Sequence, residues 1–258
     1  MNTKRWVTYF EANRQNRPEP DWRLPYPEDA ATAARLARSF SHFQLGESGE
    51  GRCLLAEARR AYPDDPLYCE ALNLFIAEEQ EHARLLGRLV ERFGGRLIEQ
   101  HWTHSLFRLF RRALGVHFEI QVLVIAELVG TAYYRLLKVR ARDRVIEQVC
   151  DLILRDEAQH IAFHTDRFAS SQASWLPMEI SLWAAQFQSL FLAATVVAWV
   201  DHADALRATG AQRREFFREA RKGCIAFLRT LETIKWSTLP LNASSGGIVA
   251  PRSSHESV

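Results

Sequence analysis

Residues 78–82 read Glu78-Glu79-Gln80-Glu81-His82, and residues 156–160 read Asp156-Glu157-Ala158-Gln159-His160. In each, a Glu and a His stand three apart within a strongly helical stretch, and a step of three puts both side chains on one helix face. That face is apolar, with Leu72, Phe75 and Leu86 around the first pair and Ile153 and Ile161 around the second. Four ionisable groups are therefore aimed at a core, where charge is tolerated mainly when it is paired or bound to metal. Two metal ions bridged by carboxylates inside a helical bundle would satisfy all four, and the expected fold class is all-α.

The bulk properties agree with one such bundle. A chain of 258 residues can bury a sizeable core, and a single domain is expected. The 33 basic and 31 acidic side chains leave a net charge of +2, which gives no reason to expect nucleic acid or an anionic membrane as a partner. Cys53, Cys69, Cys150 and Cys224 are scattered, with neither the Cys-x-x-Cys spacing of a zinc or rubredoxin-type site nor a dense disulfide framework. Reduced thiols and a cytoplasmic location are the expectation. The N-terminus is charged and proline-spotted where a secretory signal needs an apolar run.

Residues 1–27, with Pro18, Pro20, Pro25 and Pro27, read as a polar arm lying on the surface. The helical domain spans 28–236. Its first helix runs to about Ala61, with a kink or widened turn expected at Gly46, Gly49 and Gly51, since each glycine in a helix interior costs roughly 1 kcal/mol against Ala. Pro63-Asp64-Asp65-Pro66 is a turn, because proline ends one helix and starts the next well. The second helix carries Glu79 and His82 and stops at Gly94-Gly95. The connection from Gly95 to about Phe110, which holds His101, Trp102 and His104, has the length of a crossover along a bundle. A third helix, about Arg112 to Arg140, sets Leu123, Val124, Glu127, Thr131 and Tyr134 on one face. The fourth carries Glu157, His160 and His164. Two extra C-terminal helices, about Pro177 to Ala208 and Ala211 to Trp236, precede a Ser/Gly-rich tail over 237–258. The apolar run Met178 to Val200 contains Glu179, Gln186 and Gln188, a poor match to a clean membrane span, and is expected to be a buried helix.

Glu127 and Glu157 lie at matching distances from the turn at Arg142-Asp143, which places them at one level of an antiparallel pair. The same counting from the Pro63 turn puts a ligand of the first helix near position 48. Glu47 fits that depth better, and Glu50 is the alternative. The candidate metal ligands are therefore Glu47, Glu79, His82, Glu127, Glu157 and His160. His164, one turn beyond His160, reads as a hydrogen-bonded core residue or as an extra ligand. Tyr133 and Tyr134 suit core packing, with a proton or radical relay by Tyr134 beside Glu127 as the catalytic alternative. Trp183, Phe187, Phe191 and Trp199 form a stripe that belongs to the core or walls a cavity, and His101, His104 and His202 read as surface or crossover groups.

The order Glu47, Glu79-x-x-His82, Glu127, Glu157-x-x-His160 resembles the ferritin-like superfamily of non-haem di-iron proteins, over about Phe40 to His164. The resemblance implies a four-helix bundle with a crossover between its second and third helices. Arg155-Asp156-Glu157-x-x-His160-x-x-Phe163, with Glu127 seven residues before Tyr134, is similar to the aldehyde-deformylating oxygenases. Asp156 and Glu78, each directly before a ligand Glu, resemble the acids of di-iron oxygenases and ribonucleotide reductase small subunits that hydrogen-bond a ligand His from outside. That implies Asp156 for His82 and Glu78 for His160. As an extra ligand, His164 would resemble the additional histidine of arylamine N-oxygenases. No rubredoxin-like cysteine module is present, unlike a typical rubrerythrin, and ferritin storage subunits lack the second Glu-x-x-His.

Carboxylate and imidazole donors suit two iron ions, or a manganese–iron pair, and four carboxylates offset the charge of two divalent ions. The expected function is an oxidoreductase that activates O2 to oxidise a small, mostly apolar organic substrate by hydroxylation, N-oxygenation, desaturation or C–C cleavage. It would draw on an unknown electron donor, and a homodimer remains open. A ferroxidase or rubrerythrin-like peroxide scavenger would use the same ligands without an organic pocket. A metal-free interaction bundle would leave six inward ionisable groups unpaired.

Overall fold

Acidic caps and prolines decide where the main helices start. Asp29 accepts hydrogen bonds from the amides of Ala31 and Thr32, Asp65 from Tyr68, and Asp143 from Val145 and Ile146, each satisfying amides that a helix start leaves free. Pro66 and Pro177 occupy first-turn positions, where a missing N–H costs nothing. The computed structural model describes residues 1–25, 28–101 and 115–238, and among them it is all-helical. Its elements are α1 (Thr3–Gln15), α2 (Ala30–Glu47), α3 (Arg52–Ala61), α4 (Pro66–Arg92), α5 (Val116–Arg140), α6 (Arg144–Ser171), a 3-10 turn (Gln172–Ser174), α7 (Pro177–Ala208) and α8 (Arg213–Thr238).

The expected break in the first long helix falls between α2 and α3. Gly51 has φ of 61°, and a Cβ there would lie 2.3 Å from Ile76 Cδ1, so both the turn and the close approach to α4 require glycine. α2 packs on α4 and α5 on α6, α4 meets α6, and α7 closes the other side against both α2 and α5. The crossover expected from Gly95 to about Phe110 falls largely on residues 102–114, which, like the tail beyond 238, lie outside the described residues.

Two expectations are corrected. The N-terminal segment is not a surface arm: α1 buries Trp6 and Phe10 against Phe163 of α6, with ring centroids 5.5 and 5.4 Å apart, because these two rings stand four apart on one face of an otherwise polar helix. The irregular segment that follows is strapped to α4. Arg92 donates to the carbonyls of Trp22 and Leu24 and to Asp143, and Arg84 donates to Glu19. The second correction concerns α7, which is buried on one side only. Trp183, Phe187, Phe191 and Trp199 turn inward, packing on Phe168, Phe227 and Phe216. Met178, Leu182, Leu192 and Val200 stay exposed. α5 and α7 are both long and apolar enough to cross a membrane by length and composition, but α5 is buried on nearly all sides.

Because α1 is part of the core, Phe10→Ala should lower the unfolding free energy by about 3–5 kcal/mol, as expected for a large buried ring. Chemical denaturation checks this. A loss within about 0.5 kcal/mol would return the segment to the surface.

Candidate metal centre

The two Glu-x-x-His pairs meet face to face between α4 and α6. Glu79, His82, Glu157 and His160 each place a donor atom within 4.8 Å of the other three. His82 and His160 are fully buried and both present Nδ1 inward. His82 Nδ1 lies 3.8 Å from Glu79 Oε1 and 3.7 Å from Glu157 Oε1. His160 Nδ1 lies 2.9 Å from Glu79 Oε1 and 3.7 Å from Glu157 Oε2. Glu157 thus offers one oxygen to each histidine.

The outer nitrogens are spoken for. His82 Nε2 is 3.2 Å from Asp156 Oδ2, and His160 Nε2 is 3.0 Å from Glu78 Oε2, so each histidine is oriented by an acid of the opposite helix. Asn13 joins the two acids, donating to Glu78 Oε1 at 2.6 Å and to Asp156 Oδ1 at 2.9 Å. Arg17 Nη2 donates to Asp156 Oδ2 and stands 3.8 Å from Glu78. Sequence reasoning expected the acids and missed Asn13 and Arg17, whose polarity looked like that of an exposed arm. Such partners fix the ring orientation and raise ligand basicity.

Glu47, the last residue of α2, lies near enough to Glu79 and Glu157, and Glu127 to Glu157, for their charges to be felt on one another. Glu50 is corrected as an alternative ligand: the helix stops before it, and its side chain is 63% exposed and paired with Arg52 at 2.6 Å. His164 is fully buried with Nε2 3.3 Å from Glu127 Oε1, out of line for a hydrogen bond, so it is not the hydrogen-bonded core histidine of the blander expectation. Tyr134 is buried, and burial together with the charges of Glu47 and Glu157 raises its hydroxyl well above the ordinary range.

The donor set fits a metal. Glu79 Oε1, His82 Nδ1, both oxygens of Glu127, Glu157 Oε2, His160 Nδ1 and both nitrogens of His164 are buried, and among the described residues none has a hydrogen-bond partner. Buried polar atoms are almost always satisfied, and the unpartnered atoms of Glu79, His82, Glu157 and His160 belong to one cluster in which a cation could bind them together. Without metal, protons take up the charge. Burial, then the charge of Glu79, holds Glu47 well above the usual carboxylate range. Burial raises Glu157 to about 7, against the attraction of the neighbouring His160. Burial opposes a charge on His160, but Glu157, Glu78 and Glu79 hold it protonated. Burial likewise opposes ionised Asp156, yet His82, Arg17 and Asn13 keep its carboxyl below the ordinary range.

A cavity of about 390 Å³ opens onto Glu47, Glu79, Glu127 and Glu157 and is otherwise lined mainly by aliphatic and aromatic groups such as Phe75, Ile76, Val122, Leu190, Ala194 and Val197. The aromatic stripe Trp183, Phe187, Phe191 and Trp199 is core packing and does not wall it; the small-residue face of α7 does. His202, expected at the surface, is buried at the cavity edge, where burial pushes it down to about 3. His101, expected as a surface or crossover group, is half-buried against Asp201, and His104 falls outside the described residues. Comparison with family models, curated proteins and solved structures finds no match to this chain.

Asp156→Asn keeps the volume and removes the charge that orients His82. Metal binding, measured by competition with a chelator, should weaken by about 10 to 100-fold. Unchanged affinity would reduce Asp156 to a structural partner of Arg17.

Proposed function

We propose that this chain is a ferritin-like di-iron oxidoreductase that uses O2 to oxidise a small, mostly apolar organic substrate. The observation that carries the proposal is the aliphatic cavity of about 390 Å³ ending on the carboxylates of the buried Glu/His cluster. Its size lies within the range of ligand pockets, and iron storage or peroxide removal has no need of such a space. Two iron ions at the cluster would supply the electrons and the Lewis acidity that oxygen chemistry demands.

The protein's own part is positional. Glu47, Glu79, Glu127 and Glu157, with His82 and His160, provide four negative charges and two neutral donors, which balance two divalent ions. Asp156 and Glu78 hold the two rings with Nδ1 inward. Phe75 packs against His160 and His164 with ring centroids 4.7 and 5.0 Å apart, shielding the site from water on the α4 side. Ala194, Val197 and Leu190 offer the substrate an apolar wall with no competing hydrogen-bond donor. Tyr134, held protonated beside Glu47 and Glu157, offers a phenol for a proton relay.

Iron reconstitution followed by elemental analysis should give about two ions at this centre, lost in the Glu79→Ala, Glu157→Ala double variant. A stoichiometry that the double variant leaves unchanged would end the proposal. Filling the cavity separates the oxidase from the scavenger. Ala194→Phe should leave the reaction of the reduced ions with oxygen nearly intact and abolish the change in the iron absorption spectrum caused by octanal, octylamine or octanoate. Wild-type protein indifferent to all three, yet quick to consume peroxide, would favour the ferroxidase or peroxidase function instead.

A further inference from the structure

The cavity that reaches the Glu79 cluster is also bordered by His42, Asp201 and His202, which form a second group of donors. His42 comes from the last part of α2, Asp201 and His202 from the C-terminal quarter of α7, and His101 from the segment after α4. His42 Nδ1 lies 3.0 Å from Asp201 Oδ2, and His101 Nε2 lies 3.5 Å from Asp201 Oδ1. The two imidazoles are stacked with centroids 3.9 Å apart, so both turn a ring nitrogen to the same carboxylate. One donor atom from each of the three falls within 4.8 Å of the other two. His202 stands alongside, with Nε2 3.5 Å from Asp201 Oδ2. Its Nδ1 is 2.8 Å from Ser39 Oγ, which is 2.6 Å from the Tyr133 hydroxyl.

His42 hydrogen-bonds one Asp201 oxygen, and His101, from a third segment, turns a ring nitrogen to the other, more imidazole than one carboxylate needs. A metal ion explains the convergence better than pairwise hydrogen bonding. In a tetrahedral site with bonds of about 2.0–2.1 Å, neighbouring donor atoms stand about 3.3 Å apart. His42 stands 3.0 Å from one Asp201 oxygen and His101 3.5 Å from the other, separations of that order. We propose that His42, His101 and Asp201, with His202 as a fourth donor, hold a single divalent first-row metal ion, separate from the Glu79 centre and facing the same cavity. Two imidazoles and a carboxylate suit zinc, cobalt(II) or iron(II). The Ser39 contact to the far nitrogen of His202 is the kind of outer hydrogen bond that orients a ligating ring.

Cobalt(II) titration of the metal-free full-length protein tests the site, with visible absorption and elemental analysis as readouts. One equivalent of cobalt should disappear in Asp201→Asn and in His42→Gln, and should persist in the Glu79→Ala, Glu157→Ala double variant. Circular dichroism matching wild type establishes that the variants are folded. For the wild type itself, crystals soaked in zinc should show an anomalous peak between His42 and Asp201, a result that does not depend on any variant. Cobalt stoichiometry unaffected by both substitutions, or no anomalous peak there, overturns the proposal. Cobalt that depends on Asp201 while the Glu79 centre binds nothing would sink only the di-iron function and leave this site standing.

Discussion

Each of the two buried histidines is turned by an acid that reaches across from the facing helix, His82 by Asp156 and His160 by Glu78. This reciprocal pair fixes α4 against α6. The contact between those helices is ionic at its centre, and Asn13 and Arg17 of the N-terminal segment bridge the two acids from outside. A buried charge network of this kind adds little net stability, because desolvation offsets the attraction, but removing one member leaves an uncompensated charge and costs about 3–5 kcal/mol. Its contribution is register. A slip of α4 along α6 by one residue would separate four bonded groups at once, so the level at which Glu79 and Glu157 face each other is set by the acids behind them.

That constraint explains the division of labour along α7. Its aromatic residues stand on one face at 183, 187, 191 and 199, with Thr195 in the gap, and they pack on α6 and α8. The neighbouring stripe, with Ala193, Ala194, Val197 and Ala198, is small and faces the cavity. Large side chains therefore anchor the helix, and small ones keep a space open beside the charged cluster. Had the stripes been exchanged, rings would fill the cavity and the anchor would be lost.

The Glu-x-x-His repeats were legible because a step of three on an apolar helix face leaves few alternatives, and the helix starts at Pro66 and Arg144 were legible because Asp65-Pro66 and Asp143 are strong local signals. Glu47 was reached by counting back from the Pro63 turn, although that count crosses the break at Ser48–Gly51 between α2 and α3. Less could be read where the determinant is tertiary. Trp6 and Phe10 belong to a helix whose other residues are polar, so its buried face shows only once Phe163 is opposite. The Asp201 group is drawn from three distant segments, and its one local hint was an Asp-His pair at the end of an apolar helix. The exposed face of α7 was hidden because a long apolar run looks the same whether one side or every side is covered.

The candidate donors differ in how firmly they are held, and the difference follows from the same architecture. His82 and His160 are clamped on a second ring nitrogen, and the two Glu residues beside them sit in the middle of long helices. Glu47 instead ends α2, immediately before the break at Ser48–Gly51, and neither Gly46 nor Gly49 has an atom within 4 Å of where its Cβ would be. The backbone around it is unpacked on the side that faces the cavity, which Gly46 and Gly49 also border. A carboxylate at such a position can change its reach without disturbing a helix interface, while the α4–α6 side cannot. The candidate centre is thus rigid where the histidines are and compliant where the cavity meets it, which puts the adaptable group next to the space a substrate would occupy.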